Sequence, residues 1–535
     1  MRTEGKLVDF IHFPISKVVF AVLYGLLCFF LGSAIVNLHP RFESVASSLL
    51  SWILLSVFFF IASIPFIKVY VRREKINYVE IIYPISLMFI LDYGLRTIYV
   101  FLHPNSLEVQ LRPYILDHKI LSISLLYLNI GYICLLLGYY SFIPHRLARS
   151  IPSFVKDEYP RENLLLRLIL LFLLGLAALV YGALHGDLPI GAVGPGRSVE
   201  EFGLHDYIQH FSKYTLYALA IALFTKVYEQ SDAGKAFIIL LSAYSFSLAF
   251  IGGSKGAFFT VIFLFLFWWN YRRGVIRLRS YLLLLVLSLI FIFPWQNTYR
   301  GIYRGYFGRS LPTKENLIDS LSSTYRGFSQ LSWREYLDTG LRIMMGRQHE
   351  IDSLCAIVAQ TPDPNPYLYG RDYLWFIPCG LIPRAVWPNK PYLQDRDVFD
   401  VDYWHTSKGA CAGPPYIGDL YMNFGFPGVI VGMFLMGVLL RFVYLYFVEN
   451  TEDSSPGLFY YTFIAIELFR IVPEASLGGL SGIIKTSVYY MTIAHLLVKK
   501  ESKLTLSTLL LLGGAFAFWK LVGARMAGEL INLIR

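Results

Sequence analysis

The chain has 535 residues, of which 56% are hydrophobic, 17% aromatic and only 16% charged, with a mean hydropathy of +0.52. That composition excludes a soluble multidomain enzyme, a disordered chain and a disulfide-stapled scaffold, and it points to an all-α, polytopic membrane protein. The 47 Lys and Arg against 37 Asp and Glu leave a net charge of +10, which in such a protein serves orientation and anionic headgroups rather than nucleic acid.

A bilayer span needs about 20 mainly apolar residues. Runs of this kind lie near 18–36, 46–67, 78–101, 120–140, 164–184, 209–227, 235–251, 257–270, 281–296, 427–447, 457–472, 480–498 and 504–522. Because several are short, they predict twelve to fourteen transmembrane helices. The first run is long and has no A-x-A-like site after it, so it is expected to stay as the first helix. Arg72, Arg73 and Lys75, then Arg146, Arg149, Lys156 and Arg161, then Arg272, Arg273, Arg277 and Arg279, then Lys499, Lys500 and Lys503 fall on one side if thirteen spans are threaded. It is the side of an N-terminus carrying Arg2, Lys6 and Lys17, and the bias of short loops makes it cytoplasmic. The loop 448–456, with Glu449, Glu452 and Asp453 and no Lys or Arg, adds nothing to that bias.

The threading divides the chain into about nine helices in 1–296, one large external segment at 297–426, and about four helices in 427–535. The external segment holds thirteen Lys and Arg and thirteen Asp and Glu, so the whole excess of +10 lies outside it. Tyr, Trp, Pro and Gly are dense in it, which predicts a folded, partly membrane-embedded cap with amphipathic helices such as 333–358. Aromatic external surfaces suit sugars, whose apolar ring face stacks on indole or phenol. Of five cysteines, Cys355, Cys379 and Cys411 are external; Cys379 and Cys411 form a bridge, or all three are small buried residues. There is no Walker A, GxGxxG, HExxH or CxxC pattern, so nucleotide-driven pumping and ordinary zinc chemistry have no support, and no cofactor or metal is expected.

Ionisable residues cluster near the external helix ends. Gly252-Gly253-Ser254-Lys255-Gly256 is either a glycine turn whose amides and Lys255 cradle a diphosphate, or a short helix hairpin with a snorkelling lysine. Arg300, Arg304 and Arg309 share a face if the ninth helix continues, to meet a lipid diphosphate or ordinary headgroups. In Gly346-Arg347-Gln348-His349-Glu350-Ile351-Asp352, Arg347 and Glu350 are three apart and pair on a helical face, or else Arg347 meets an anionic leaving group while Glu350 or His349 deprotonates a hydroxyl. Within spans, Asp92 with Arg96, and Glu467 with Arg470, are spaced to pair; such groups, with Lys485, are also functional candidates. Asp395-Arg396-Asp397 with Asp400 and Asp402 makes two DxD arrangements, which fit a solvated acidic turn better than an external metal site.

The pieces Gly346-Arg347-x-x-Glu350-Ile351-Asp352-Ser353-Leu354, Tyr369-Gly370-x-x-Tyr373, Ile382-Pro383-Arg384-x-x-Trp387-Pro388-x-Lys390-Pro391 and Gly418-Asp419-x-Tyr421-x-Asn423-Phe424-Gly425 resemble the bacterial O-antigen (oligosaccharide repeat-unit) polymerases of the Wzy type. The resemblance covers about 340–440. It implies a C-type glycosyltransferase architecture in the bacterial inner membrane, with the large loop facing the periplasm. Donor and acceptor would be glycans on undecaprenyl diphosphate, and a chain-length regulator and a flippase would be further partners. Arg347, Arg470, Arg300, Arg304 and Lys255 would then bind diphosphate, Glu350 or His349 would act as base, and Arg384, Trp387 and Tyr421 would line the sugar site. An O-antigen ligase, or a lipid-linked oligosaccharide flippase or transporter, is the alternative.

Overall fold

The computed structural model describes residues 45–72, 77, 79–103, 112–153, 155–184, 210–251, 255–273, 294–295, 298–299, 302, 314–346, 348–382, 387, 398–405, 413–474 and 477–499. The described residues are mostly helical, without a strand, and six helices are long and apolar enough to cross a bilayer, as a polytopic membrane protein requires. Helix is what an apolar slab demands, since every backbone N–H and C=O must be satisfied within the segment. The expected spans 18–36, 281–296 and 504–522 lie outside the described residues.

The long elements are α1 (Val45–Arg72), α2 (Ile82–Leu102, widened by a π-helical turn at Ile90–Leu95), α3 (His118–Tyr140), a short α4 (Ile143–Ser150) and α5 (Leu164–Leu184). Then come α6 (Tyr214–Phe224), α7 (Asp232–Ile251) and α8 (Lys255–Arg272). The expected external segment supplies α9 (Lys314–Ser329), α10 (Trp333–Met345), α11 (Glu350–Gln360) and α12 (Phe376–Leu381). The chain continues through α13 (Tyr416–Phe447), α14 (Ser455–Glu474) and α15 (Leu477–Lys485), which passes through a π-helical turn into α16 (Thr492–Lys499).

Helices α3 and α13 cross at backbone contact. A Cβ at Gly138 would run into the Phe434 carbonyl, and one at Gly437 into the Leu135 carbonyl. Without a hydrophobic drive between helices in lipid, such small-residue crossings and polar side chains hold the bundle. Ser51 Oγ lies 2.8 Å from Ser122 Oγ, Asn129 Nδ2 donates to Leu54 O at 3.0 Å, and Ser86 Oγ lies 2.6 Å from the Tyr132 hydroxyl. Leu137, Leu166, Ile239, Leu240, Val431 and Leu435 are each more than half exposed on the outer faces of these helices, a belt suited to acyl chains.

Arg272 and Lys499, from two of the predicted basic clusters, meet Glu158 and Asp157 at one end of the bundle, where Lys68, Arg167 and Arg441 add further cations; Arg73 and Lys75 lie outside the described residues. Lys68 sits 3.8 Å over the Tyr140 ring, Arg441 Nη1 lies 2.6 Å from Glu80, and Arg272 Nη2 donates to Ser455 Oγ at 2.9 Å and Asp453 O at 3.2 Å. Lys499 reaches Asp157 at 3.4 Å, and Arg167 donates to Val498 O at 2.9 Å. The acidic loop 448–456 is at this same end: Glu449 takes Arg441 Nη2 at 3.2 Å, so its lack of Lys and Arg is compensated by neighbours.

Two local expectations change. The helix expected over 333–358 is two helices, because the chain breaks at 346–349 between α10 and α11. Helix α10 opens with a capping box, in which Ser332 N–H donates to Glu335 Oε2 at 2.8 Å and Glu335 N–H donates to Ser332 Oγ at 3.4 Å. Helix α13 begins at Tyr416, so Gly418–Asn423 is the N-terminal end of a long helix and not a loop. That helix is kinked at Gly425, whose φ of +64° and ψ of −158° leave the helical region two residues before Pro427.

Candidate outer site

Two polar clusters stand at the end of the bundle opposite the basic clusters. The first is built on the break between α10 and α11. The π-helical turn of α2 carries fully buried Asp92 and leads into Arg96, which is 1% exposed. Arg96 does not pair with Asp92 at i,i+4, as the spacing suggested. Its Nη2 and Nε instead donate to Asp352 Oδ2 at 2.5 Å and Oδ1 at 3.3 Å, and its Nη1 donates to Met345 O at 2.6 Å. Arg96 directly follows that π-helical turn, and its side chain is directed to the start of α11.

The guanidinium thus holds the last carbonyl of α10 and the first turn of α11 together. That first turn carries Glu350 and Asp352, and carboxylates there are favoured by the helix dipole. Glu350 is 6% exposed and begins α11; His349, just before it, meets the Trp404 ring edge-on at 5.4 Å. Arg347, expected to pair with Glu350 or to meet a leaving group, lies outside the described residues.

A second π-helical turn, Phe399–Tyr403, covers α11. The Tyr403 hydroxyl is 2.7 Å from Thr361 Oγ1, Gln360 Nε2 donates to Tyr403 O at 3.4 Å, and burial pushes the Tyr403 phenol above its ordinary pKa. Asp400 in this turn is fully buried, which corrects its reading as part of a solvated acidic turn; Asp402 is exposed, and Asp395 and Asp397 lie outside the described residues. Burial also pushes the Cys355 thiol up, leaving it an inert core group. Cys379 is buried as well, and Cys411 lies outside the described residues.

The second cluster sits on the N-terminal end of α13. Pro427 has no N–H, so Asn423 O, four residues back, loses its helical donor. The segment 368–370 supplies donors instead: Leu368 N–H to Met422 O at 2.9 Å, Tyr369 N–H to Asn423 O at 3.0 Å, and Gly370 N–H to Asn423 Oδ1 at 3.2 Å. Asn423 Nδ2 donates to Asp419 Oδ1 at 3.1 Å, and the Tyr373 hydroxyl donates to Asp419 Oδ2 at 2.6 Å. Asp419 is fully buried. Tyr421, expected in a sugar site, is only 6% exposed, its ring enclosed by Tyr127 at 5.2 Å and Tyr367 at 6.1 Å, so it supports the site wall without offering a stacking face. The presented ring is Tyr369, 80% exposed and held at φ +51° by its own N–H bond and that of Gly370.

Trp387 is half-buried and meets Trp375 at 5.9 Å. Lys255 begins α8 and Arg470 lies in α14, but their side chains, like all of Arg300, Arg304 and Arg384, lie outside the described residues; so does Gly252–Ser254. The structure therefore joins His349 and Glu350 in one cluster and places Tyr421 in the other. Sequence reasoning missed Arg96 as the partner of Asp352, and Asp419, Asn423 and Tyr373 as a hub; the available signal for the hub was Pro427 four residues after Asn423. Among the described residues, no group of three or more His, Cys, Asp or Glu is placed to hold a metal ion.

No curated protein and no solved structure matches the chain. The family described as "Domain of unknown function (DUF8712)" matches residues 198–447, just under half of the chain. The matched stretch contains Glu350, Asp352 and Asp419, whereas Arg96, which holds Asp352, lies upstream of it.

Proposed function

We propose that the protein is a membrane glycosyltransferase that polymerises undecaprenyl-diphosphate-linked repeat units into O-antigen or a related surface polysaccharide. The observation that carries this reading is the His349-Glu350 turn, a base and a buried carboxylate set at the start of α11, at the bundle end opposite the basic clusters. The resemblance of 340–440, a stretch that includes Glu350, to repeat-unit polymerases supports it as well. On this reading the outer segment faces the periplasm of a bacterium and the basic end faces the cytoplasm.

The reaction is a direct displacement. A hydroxyl oxygen of the incoming unit attacks the anomeric carbon of the growing glycan, the bond from that carbon to the diphosphate oxygen breaks, and the hydroxyl proton passes to Glu350 or His349. An acceptor hydroxyl is a poor nucleophile at neutral pH, so a positioned base is useful, contributing roughly 10²–10⁴-fold. The diphosphate leaves as a stabilised anion, which favours electrostatic help from Arg347, Arg300, Arg304, Arg470 and Lys255 over a general acid. Arg384 and Trp387 line the sugar path, with Tyr369 as the exposed ring.

Purified protein in lipid vesicles, given only lipid-linked repeat units, should yield a ladder of longer lipid-linked glycans. Units that stay monomeric while a lipid A core acceptor is consumed would make it a ligase, and transbilayer movement of the units without chain growth would make it a transporter.

A further inference from the structure

We infer that Arg96, in the second half of helix α2, is a positioning residue for the His349-Glu350 turn. The inference rests on the polymerase reading for its catalytic part, but its structural part stands apart from it. Three bonds from a single buried guanidinium cross the break between α10 and α11: two to Asp352 and one to Met345 O. The residues between those anchor points, 346–351, include His349 and Glu350. Both ends of the break are therefore fixed to the transmembrane bundle by one side chain.

Stability alone does not account for the pair. Arg96 and Asp352 are each 1% exposed, and taking both charges out of water costs several kcal/mol per ion, so a well-packed apolar pair holds a bundle at least as well. What apolar side chains cannot supply is direction. A planar guanidinium presents its N–H groups in a fixed fork, and here the fork sets the distance and angle between the end of α10 and the start of α11. Arg96 itself comes directly after the π-helical turn Ile90–Leu95, in which Gly94 packs so closely on Phe59 that a Cβ there would lie 2.7 Å from the ring. The backbone that carries Arg96 has little freedom to shift, and the turn it holds inherits that rigidity. A displacement of about 1 Å at a reacting group is worth roughly 100-fold in rate.

The test uses the full chain in lipid vesicles with Arg96→Gln, Asp352→Asn and Arg96→Lys. Amide hydrogen exchange over 346–360 is measured beside turnover and KM with lipid-linked repeat units. Arg96→Gln and Asp352→Asn should each speed exchange over 346–360 by about tenfold or more, since the local opening free energy falls. They should cut turnover about 100-fold with KM within about twofold, the pattern of misplaced chemistry and not of lost binding. Arg96→Lys keeps the charge but makes a single point contact, so it should insert and fold normally with turnover down about tenfold. Wild-type exchange and turnover in Arg96→Gln and Asp352→Asn would overturn the inference. So would a lowered melting midpoint with unchanged turnover per folded molecule, which is what a purely structural pair gives. If Arg96→Gln fails to fold, Arg96→Lys decides, and full turnover there overturns it. Faster exchange in the variants of a protein whose wild type makes no ladder would leave Arg96 as the anchor of the turn and remove the polymerase reading.

Discussion

Arg441 lies between Glu80 at 2.6 Å and Glu449 at 3.2 Å, so one guanidinium fastens the approach to α2 and the turn after α13 to the same end of the bundle. It also faces the Tyr139 and Tyr444 rings at 5.6 Å and 5.1 Å, and the Tyr139 hydroxyl donates to Glu80. Removing the cation strands Glu80, which is 15% exposed. Arg441→Met should lower stability in detergent toward the lower end of the roughly 3–5 kcal/mol seen when one partner of a buried pair is lost. Arg441→Lys, which keeps the charge, should lose less. Thermal unfolding of the two variants side by side checks the order.

The crossing of α3 and α13 makes a steric prediction. Gly138→Ala and Gly437→Ala each place a methyl on a carbonyl of the facing helix, so each should cost about 1–3 kcal/mol through overpacking. The double variant should cost less than the sum, since one separation of the helices relieves both clashes. Melting midpoints of the three variants measure this.

The hub at Asp419 predicts a local effect. Tyr373→Phe removes a donor from a buried carboxylate and should cost about 1–3 kcal/mol. The loss should appear as faster amide exchange at Tyr369 and Gly370, whose N–H groups bond to Asn423, while exchange at the Arg441 end is unchanged. Equal loosening at both ends would mean that Asp419 stabilises the whole bundle.

Two carboxyl and imidazole candidates stand side by side, and activity can separate them. Glu350→Gln keeps shape and removes the base; if Glu350 takes the proton, ladder growth should fall by roughly 10²–10⁴-fold. His349→Gln should then cost far less, through its lost contact with Trp404. The reverse order assigns the base to His349. Chain growth in vesicles, tracked over time, reports both.

Much of the fold was legible because lipid leaves few options. Long apolar runs such as 120–140 and 164–184 had to be helices, and the observed His118–Tyr140 and Leu164–Leu184 agree with them closely. The convergence of basic clusters was also readable, since the bias of short loops depends only on charge. Long-range pairing was not. Nothing in the local sequence distinguishes Asp92 from Asp352 as the partner of Arg96; the packing of α11 against α2 decides it. The break at 346–349 was hidden because apolar periodicity continues through it, whereas burial of Tyr421 depends on Tyr127, nearly 300 positions away. At the site the residue types were legible and their company was not.

Helix α13 has 32 residues in two pieces that meet at the Gly425 kink, and the piece from Phe426 to Phe447 alone rises about 33 Å, enough for a hydrocarbon slab of about 30 Å. Arg441 is anchored near its C-terminal end, so the residues before the kink, Tyr416–Phe424, are surplus to a span and form an overhang. Asp419 and Tyr416 ride on that overhang. A carboxylate that would be prohibitive at mid-membrane is tolerable there, and the protein gains a fixed post outside the lipid on which to mount a polar workshop.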